Sequence, residues 1–312
     1  MRNFWRNRDI ILMLALVLGL GLGQFAVYTE KLVLPALGVV MTLSVLEVPV
    51  TIFRHWSSLL RATAAGLGMS FLLLGGLLLL LSRLAIREQE LVNGFIILAS
   101  VPPAVAVIPF TRFLEGDERF TLLGAVGCYL AALVLTPLLS LLLLEGGVLV
   151  QPQQIAIIVA KLILLPLLLS WLLQWLNWAE KIAPYKGALT NWSFFLITFT
   201  IVGLNRQLFL HQPLTLLPVF AIALCSTFLW GEIVERFCRW QKLEHPLMVS
   251  LVLLGTLKNY GLAGGLALTL FSTQTSVPAA VSTVFMIVYV IWLNAKKRWF
   301  WSNQTQPATL NI

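Results

Sequence analysis

Lys258 and Asn259 stand side by side inside an apolar run, Leu251-Val-Leu-Leu-Gly-Thr-Leu-Lys-Asn-Tyr-Gly-Leu-Ala-Gly-Gly-Leu266. The lysine brings a positive charge and three donors; the asparagine brings donors and an acceptor. Such a pair can recognise an anion or take up backbone carbonyls. A charge near the centre of a bilayer costs at least a few kcal/mol, and residues placed there usually face a cavity or a partner. Gly255, Gly261, Gly264 and Gly265 surround the pair, and glycine and asparagine weaken helices. The segment reads as a broken helix whose interruption lines a polar site.

A second interruption lies in Ala99-Ser-Val-Pro-Pro-Ala-Val-Ala-Val-Ile-Pro-Phe110. Pro102 and Pro103 cannot donate to the carbonyls of Leu98 and Ala99, nor Pro109 to that of Val105. In a membrane, freed carbonyls need water, a cation or a side chain. The residues after the break start a new half-helix, whose N–H groups and dipole suit an anion. If the two breaks cross, Lys258 meets the freed carbonyls of one of them; the plainer alternative is that it only neutralises helix ends. The candidate translocation residues are Ser100, Pro102, Pro103, Ala104 and Val105 at one break, and Thr256, Lys258, Asn259, Tyr260 and Gly261 at the other.

The elements that must position them are membrane helices. Of 312 residues, 59% are hydrophobic and 11% charged, and the mean hydropathy is +0.91. A soluble domain of this size would lack a polar surface, and a β-barrel would show short alternating strands. Apolar runs long enough to cross a bilayer recur at about 10–28, 32–53, 62–82, 90–114, 119–144, 153–177, 188–204, 214–234, 246–271 and 277–295. The apolar run behind the basic N-terminus ends in no small-residue cleavage site and is expected to be a retained first helix. Segments on the side of the two termini carry 15 of the 21 Lys and Arg residues, and the opposite loops four. This split predicts cytoplasmic termini in a plasma or inner membrane, and attributes the net charge of +8 to topology rather than to nucleic acid. The expected fold is an all-α polytopic membrane protein of ten transmembrane helices in one domain. Two inverted repeats of five span residues 10–144 and 153–295, and a polar cytoplasmic tail covers 296–312. The interruptions fall in the fourth and ninth spans, equivalent places in the two repeats, as at many transport sites.

Lys161-Leu-Ile-Leu-Leu-Pro-Leu-Leu-Leu-Ser170, Glu115-Gly-Asp117, Leu135-Thr-Pro137 and Asn259-Tyr-Gly-Leu-Ala263 resemble, in order and spacing, the bile acid:sodium symporter family. The resemblance covers residues from about 30 to 290. It implies ten helices in inverted repeats, and a core with crossed helices 4 and 9 moving against a panel of helices 1, 2, 6 and 7. The family's Ser-Asn pair after the first break is Val107-Ile108 here; its Glu and Gln at the second are Leu254 and Lys258. In helix 5 one family hydroxyl position is matched by Thr121, and another is Ala125. Valine, isoleucine and leucine offer no oxygen to a hard cation, and Lys258 would repel sodium. Two sodium ions and one glutamate leave such a site at about +1, and one protonated lysine without the glutamate gives the same. Lys258 is therefore expected to replace bound sodium in a site for a small organic anion. A lysine taken out of water can release its proton, which leaves proton coupling open beside exchange and uniport.

Other residues read more plainly. Lys161 snorkels toward an interface. Glu47 is expected at the cytoplasmic end of its span, paired with Arg54 or His55. Glu232 and Glu235 mark a solvated helix end, Glu115–Arg119 a tight turn, and the tryptophans an aromatic belt. The scattered Cys128, Cys225 and Cys238 imply neither metal nor disulfide framework, and no cofactor is expected. Metalloid oxyanion efflux would want a cysteine at the first break. A Schiff-base pigment would want a counter-ion near Lys258. An intramembrane enzyme would want paired aspartates, His-Glu-x-x-His or a Ser-His pair. A sensor without transport would want a signalling domain. The alternative closest to the main reading is a sodium-coupled symporter with degenerate ion sites.

Overall fold

The computed structural model of the protein describes residues 8–46, 56–144, 152–211 and 213–298. Glu47, Arg54, His55 and the tail from residue 299 lie outside the described residues. All named elements are helical: α1 (Arg8–Leu22), α2 (Ala26–Thr29), α3 (Val33–Val45), α4 (Trp56–Leu67), α5 (Gly75–Ala85), α6 (Gln89–Ser100), α7 (Val107–Phe113) and α8 (Glu118–Leu143). There follow α9 (Pro152–Trp175), α10 (Ala179–Leu204), α11 (Arg206–His211), α12 (Pro213–Leu224), α13 (Trp230–Trp240), α14 (His245–Thr256), α15 (Tyr260–Leu270) and α16 (Val277–Lys296). A π-helical segment, Gly68–Leu74, joins α4 to α5, and a second, Cys225–Leu229, joins α12 to α13.

Seven helical stretches among the described residues are long and apolar enough to cross a membrane. The spans expected at 10–28 and 32–53 form one helical path, Ile10–Val45, bent by 3-10 turns at Gly23–Phe25 and Glu30–Leu32. The backbone at the junctions Phe25, Thr29 and Leu32 stays near helical dihedrals, so no open loop separates the two arms. The bend is held against α10: a Cβ on Gly23 would clash with the backbone of Gly203, and Thr29 and Thr200 share a hydroxyl hydrogen bond of 2.6 Å. The helix expected at 188–204 starts earlier, at Ala179, with Pro184 inside it.

The two interrupted spans are two-part helices, α6 with α7 and α14 with α15. The extended residues between their halves pair antiparallel, Pro103 opposite Lys258. Elsewhere small residues bring backbones together, as they do where lipid gives helices no hydrophobic drive to associate. Gly124 and Gly127 of α8 lie against Ala62 and Thr63 of α4.

The stretch Glu115–Arg119 is a tight turn. Glu115 adopts φ 60°, Gly116 N–H donates to Thr111 O at 2.8 Å, and the Asp117 carboxylate caps α8 by accepting from Phe120 N–H at 2.9 Å. Lys297 reaches Glu115 at 2.7 Å and holds its carboxyl below the usual carboxylate range. The solvated helix end expected at Glu232 and Glu235 is corrected. The Glu235 side chain is 4% exposed and lies 2.7 Å from both Lys296 and Arg239. The last turn of α16 folds over it, a contact between residues too far apart in sequence to suggest it.

Gly127→Leu is expected to abolish a monodisperse peak in detergent size-exclusion chromatography, because its side chain would overlap Thr63. Gly38→Leu, where an added Cβ meets nothing within 4 Å, is expected to elute as the wild type does.

Candidate functional site

At the first break, every carbonyl from Ala99 to Pro103 accepts a hydrogen bond from elsewhere in the chain. Lys258 Nζ donates to Ala99 O and Val101 O, both at 2.8 Å. Thr136 Oγ1 donates to Ser100 O at 2.8 Å, Asn259 N–H to Pro102 O at 2.9 Å, and Tyr129 OH to Pro103 O at 2.8 Å. The proline arithmetic thus locates one of the lysine's acceptors, Ala99 O. The carbonyl freed by Pro109, that of Val105, accepts instead from Ile108 N–H at 3.3 Å.

The second break is satisfied in the same manner. Gly255 O accepts from Trp230 Nε1 at 2.9 Å, Thr256 O from Tyr260 OH at 3.3 Å, Leu257 O from Ala104 N–H at 2.9 Å and Lys258 O from Tyr260 N–H at 2.9 Å. Asn259 is the N-cap of α15, its Oδ1 accepting from Leu262 N–H at 3.0 Å. Its Nδ2 donates to Tyr129 OH at 3.1 Å. Tyr129 therefore ties both breaks together from α8.

Lys258 is wholly buried. Its Nζ lies 4.4 Å from the centre of the Phe71 ring, a cation–π contact carried by the π segment between α4 and α5. With two carbonyls and one ring face, the ammonium is enclosed. The carbonyls belong to the C-terminal end of α6, where a helix dipole favours a cation.

The opposite side of the junction faces a cavity of about 30 Å3, room for roughly one or two waters. Its walls are Ala104–Ala106 at the start of α7, Lys258–Gly261 at the start of α15, and facing residues of α3, α10 and α16. Ala99, Val101 and Phe71, the contacts of the lysine ammonium, are not among them. Of the expected site residues, Ala104, Val105, Lys258, Asn259, Tyr260 and Gly261 line this cavity. Ser100, Pro102, Pro103 and Thr256 stand behind it; the hydroxyls of Ser100 and Thr256 turn to their own helices, at Ile97 O and Val252 O. Thr121 is apart from it, accepting at 3.0 Å from Thr111 Oγ1 near the α7–α8 turn. The walls are mainly apolar, which corrects the expectation of a polar site: the breaks spend their polar groups on each other.

Helix α10 runs past three zones. Ala183, Lys186, Thr190 and Asn191 line a vestibule of about 340 Å3 that shares Ala106 and Phe194 with the central cavity. Phe194, Ile197, Thr198 and Ile201 face the centre. At the far end, buried Asn205 donates to Ile201 O at 2.8 Å and to Ser276 Oγ at 3.0 Å, closing α10 onto the start of α16.

A profile of the SBF-like CPA transporter family matches residues 32–294. The chain belongs to that family. That family is one of transporters, of the bile acid:sodium symporter type. Among curated proteins it is similar to the "Uncharacterized sodium-dependent transporter YocS" of Bacillus subtilis, 23% identical over 199 residues, 63% of this chain and 61% of that protein. The match spans less than two thirds of the relative's length.

Tyr129, Thr136, Phe71 and Trp230 were not foreseen from sequence as members of this site. Tyr129→Phe removes the bond to Pro103 O and strands a donor on Asn259. It is expected to lower stability by about 1–3 kcal/mol, read as a lower thermal midpoint in detergent. Tyr28→Phe, at a residue 80% exposed, is expected to leave the midpoint unchanged.

Proposed function

We propose that this transporter carries a small organic anion by alternating access, with Lys258 standing where related symporters hold sodium. The observation that carries the reading is the bonding of Lys258 Nζ to Ala99 O and Val101 O. Carbonyls exposed by a helix break are natural cation ligands in a membrane, and here an ammonium occupies them. Val107, Ile108 and Leu254 add no oxygen side chain. Ala106, the N-cap of α7, and Tyr260 and Gly261 in the first turn of α15 border the central cavity, so the N-terminal dipole of α15 favours an anion there. Transport is sodium-independent or proton-coupled on this reading, and the translocation residues are those named at the two breaks, without Thr121.

The proposed architecture is ten crossings in two inverted repeats of five, with both termini cytoplasmic in a plasma or inner membrane. The breaks in the fourth and ninth spans support the repeat. So do the π segments Gly68–Leu74 and Cys225–Leu229, which fall in the third and eighth spans. The vestibule beside Arg112 and Lys186 and the closed contact of Asn205 with Ser276 support a conformation open toward the side of the termini.

The second reading, a sodium-coupled symporter with degenerate sites, is favoured by the word sodium-dependent in the name of the Bacillus subtilis relative. A ligand that binds only the folded protein raises apparent stability by mass action. The thermal midpoint in sodium chloride is expected to equal that in choline chloride at matched ionic strength; a sodium-specific rise would favour the second reading. Once an organic anion substrate is found by screening across pH, Lys258→Met is expected to abolish its uptake into proteoliposomes, and Lys258→Arg to retain part of it. Unchanged uptake by a folded Lys258→Met protein would sink the lysine proposal.

A further inference from the structure

We propose that Thr198 of α10 reads the substrate: its hydroxyl and the backbone amide of Gly261 hold the carboxylate of a small aliphatic monocarboxylate in the central cavity. This rests on the reading of that cavity as an anion site, and names the residue and the chemical class that the reading leaves open.

The other polar side chains of the cavity lining are already engaged. Lys258 Nζ is turned to Ala99 O and Val101 O. Asn259 accepts from Leu262 N–H and donates to Tyr129 OH. Tyr260 OH donates to Thr256 O at 3.3 Å, and Thr283 Oγ1 to Ala279 O at 2.8 Å. Thr198 is the exception: it lines the cavity, is 5% exposed, and makes no side-chain hydrogen bond among the described residues. Its neighbour Thr200 gives its proton to the carbonyl one turn back, Leu196 O, at 2.7 Å; Thr198 keeps its own. A buried hydroxyl without a partner costs free energy, and one that borders a cavity calls for an occupant with an acceptor.

The second donor lies on the junction. Tyr260 N–H donates to Lys258 O and Leu262 N–H to Asn259 Oδ1. The amide of Gly261, between them, makes no hydrogen bond among the described residues. It stands in the first turn of α15 with no side chain to cover it, where the helix dipole favours negative charge. The cavity has room for roughly one or two waters, and a carboxylate group is of that size.

Charge and wall chemistry select the class. Lys258 is the one charged residue of the described lining, so one negative charge is matched and a second is not. No acidic side chain lines the cavity to receive an ammonium, which disfavours amino acids. Met41, Ile197, Ile201 and Met286 make apolar walls. The passage past Ala106 and Phe194 to the vestibule gives a hydrocarbon body room beyond the cavity itself.

The test titrates the full chain in detergent with the choline salts of formate, acetate, propionate, butyrate and pentanoate, against choline chloride at matched ionic strength, and reads the thermal midpoint. At least one carboxylate is expected to raise the wild-type midpoint saturably. Thr198→Val, which keeps the shape and removes the hydroxyl, is expected to weaken that apparent affinity about tenfold. Thr198→Ser is expected to restore most of it, and Thr283→Val, whose hydroxyl is spent on Ala279 O, to leave it unchanged. A saturable rise that Thr198→Val leaves intact overturns the role of Thr198 and leaves the anion reading standing. No rise with any of these salts overturns the carboxylate assignment, and the anion reading is then decided by the uptake of Lys258→Met. A rise that Thr198→Val weakens and Lys258→Met leaves intact keeps Thr198 and sinks the lysine.

Discussion

A carbonyl released from a helix inside a bilayer has no water to turn to, and the protein must supply a donor for each one. That constraint organises the centre of this molecule. Prolines at 102 and 103 open the first break, and its five carbonyls from Ala99 to Pro103 draw donors from Lys258, Thr136, Asn259 and Tyr129. The second break draws on Trp230, Tyr260 and Ala104. Each break thus completes the other, through the reciprocal bonds of Ala104 N–H to Leu257 O and Asn259 N–H to Pro102 O. Moving one half-helix alone would strand groups on the other, at a cost of about 1–3 kcal/mol apiece. The junction is therefore best moved as a unit.

Burial of Lys258 looks like a liability, since an isolated ammonium leaves water only at great cost. Its surroundings offset that cost in three ways: two carbonyl acceptors, the end of the α6 dipole and the face of Phe71. No carboxylate is among these contacts. A protonated Lys258 is solvated there by dipoles and not cancelled, so its field would persist at the N-cap of α7 and the first turn of α15, which border the central cavity. There the lysine and the N-terminus of α15 act with the same sign.

Much of this was legible in the chain because prolines, glycines and a charge in an apolar run report locally on backbone satisfaction. Both breaks, and Ala99 O as a carbonyl in need of a donor, follow from the residues around Pro102 and Lys258 alone. The other donors did not follow. Tyr129 lies 26 residues from Pro103 and 130 from Asn259, and a tyrosine within an apolar helix reads as packing. Trp230 reads as a belt residue, although a π segment just before it directs its indole to Gly255 O. Thr121 was carried over by resemblance, but its hydroxyl pairs with Thr111 one turn from the α7–α8 corner. The bond of Lys296 to Glu235 was hidden for the reason Tyr129 was: one sequence does not say which distant residues meet.

The difference between a bound sodium ion and a tethered lysine is energetic as well as structural. Sodium that enters with cargo and leaves with it transmits the free energy of its gradient. A lysine amine stays with the chain in every state, so on its own it contributes affinity for an anion and no driving force. Only a change in its protonation between the two sides would link it to a gradient. Without that change, the empty core returns with an uncompensated positive charge, whereas a core loaded with a monoanion returns nearly neutral. Under the proposed anion transport, the tethered charge would therefore favour anion exchange over net uptake, unless a proton leaves and rejoins Lys258 in each cycle. Enclosure of the ammonium by Ala99 O, Val101 O and Phe71 weighs against that traffic in the conformation described, and places any proton transfer in a state where the two breaks have parted from those contacts.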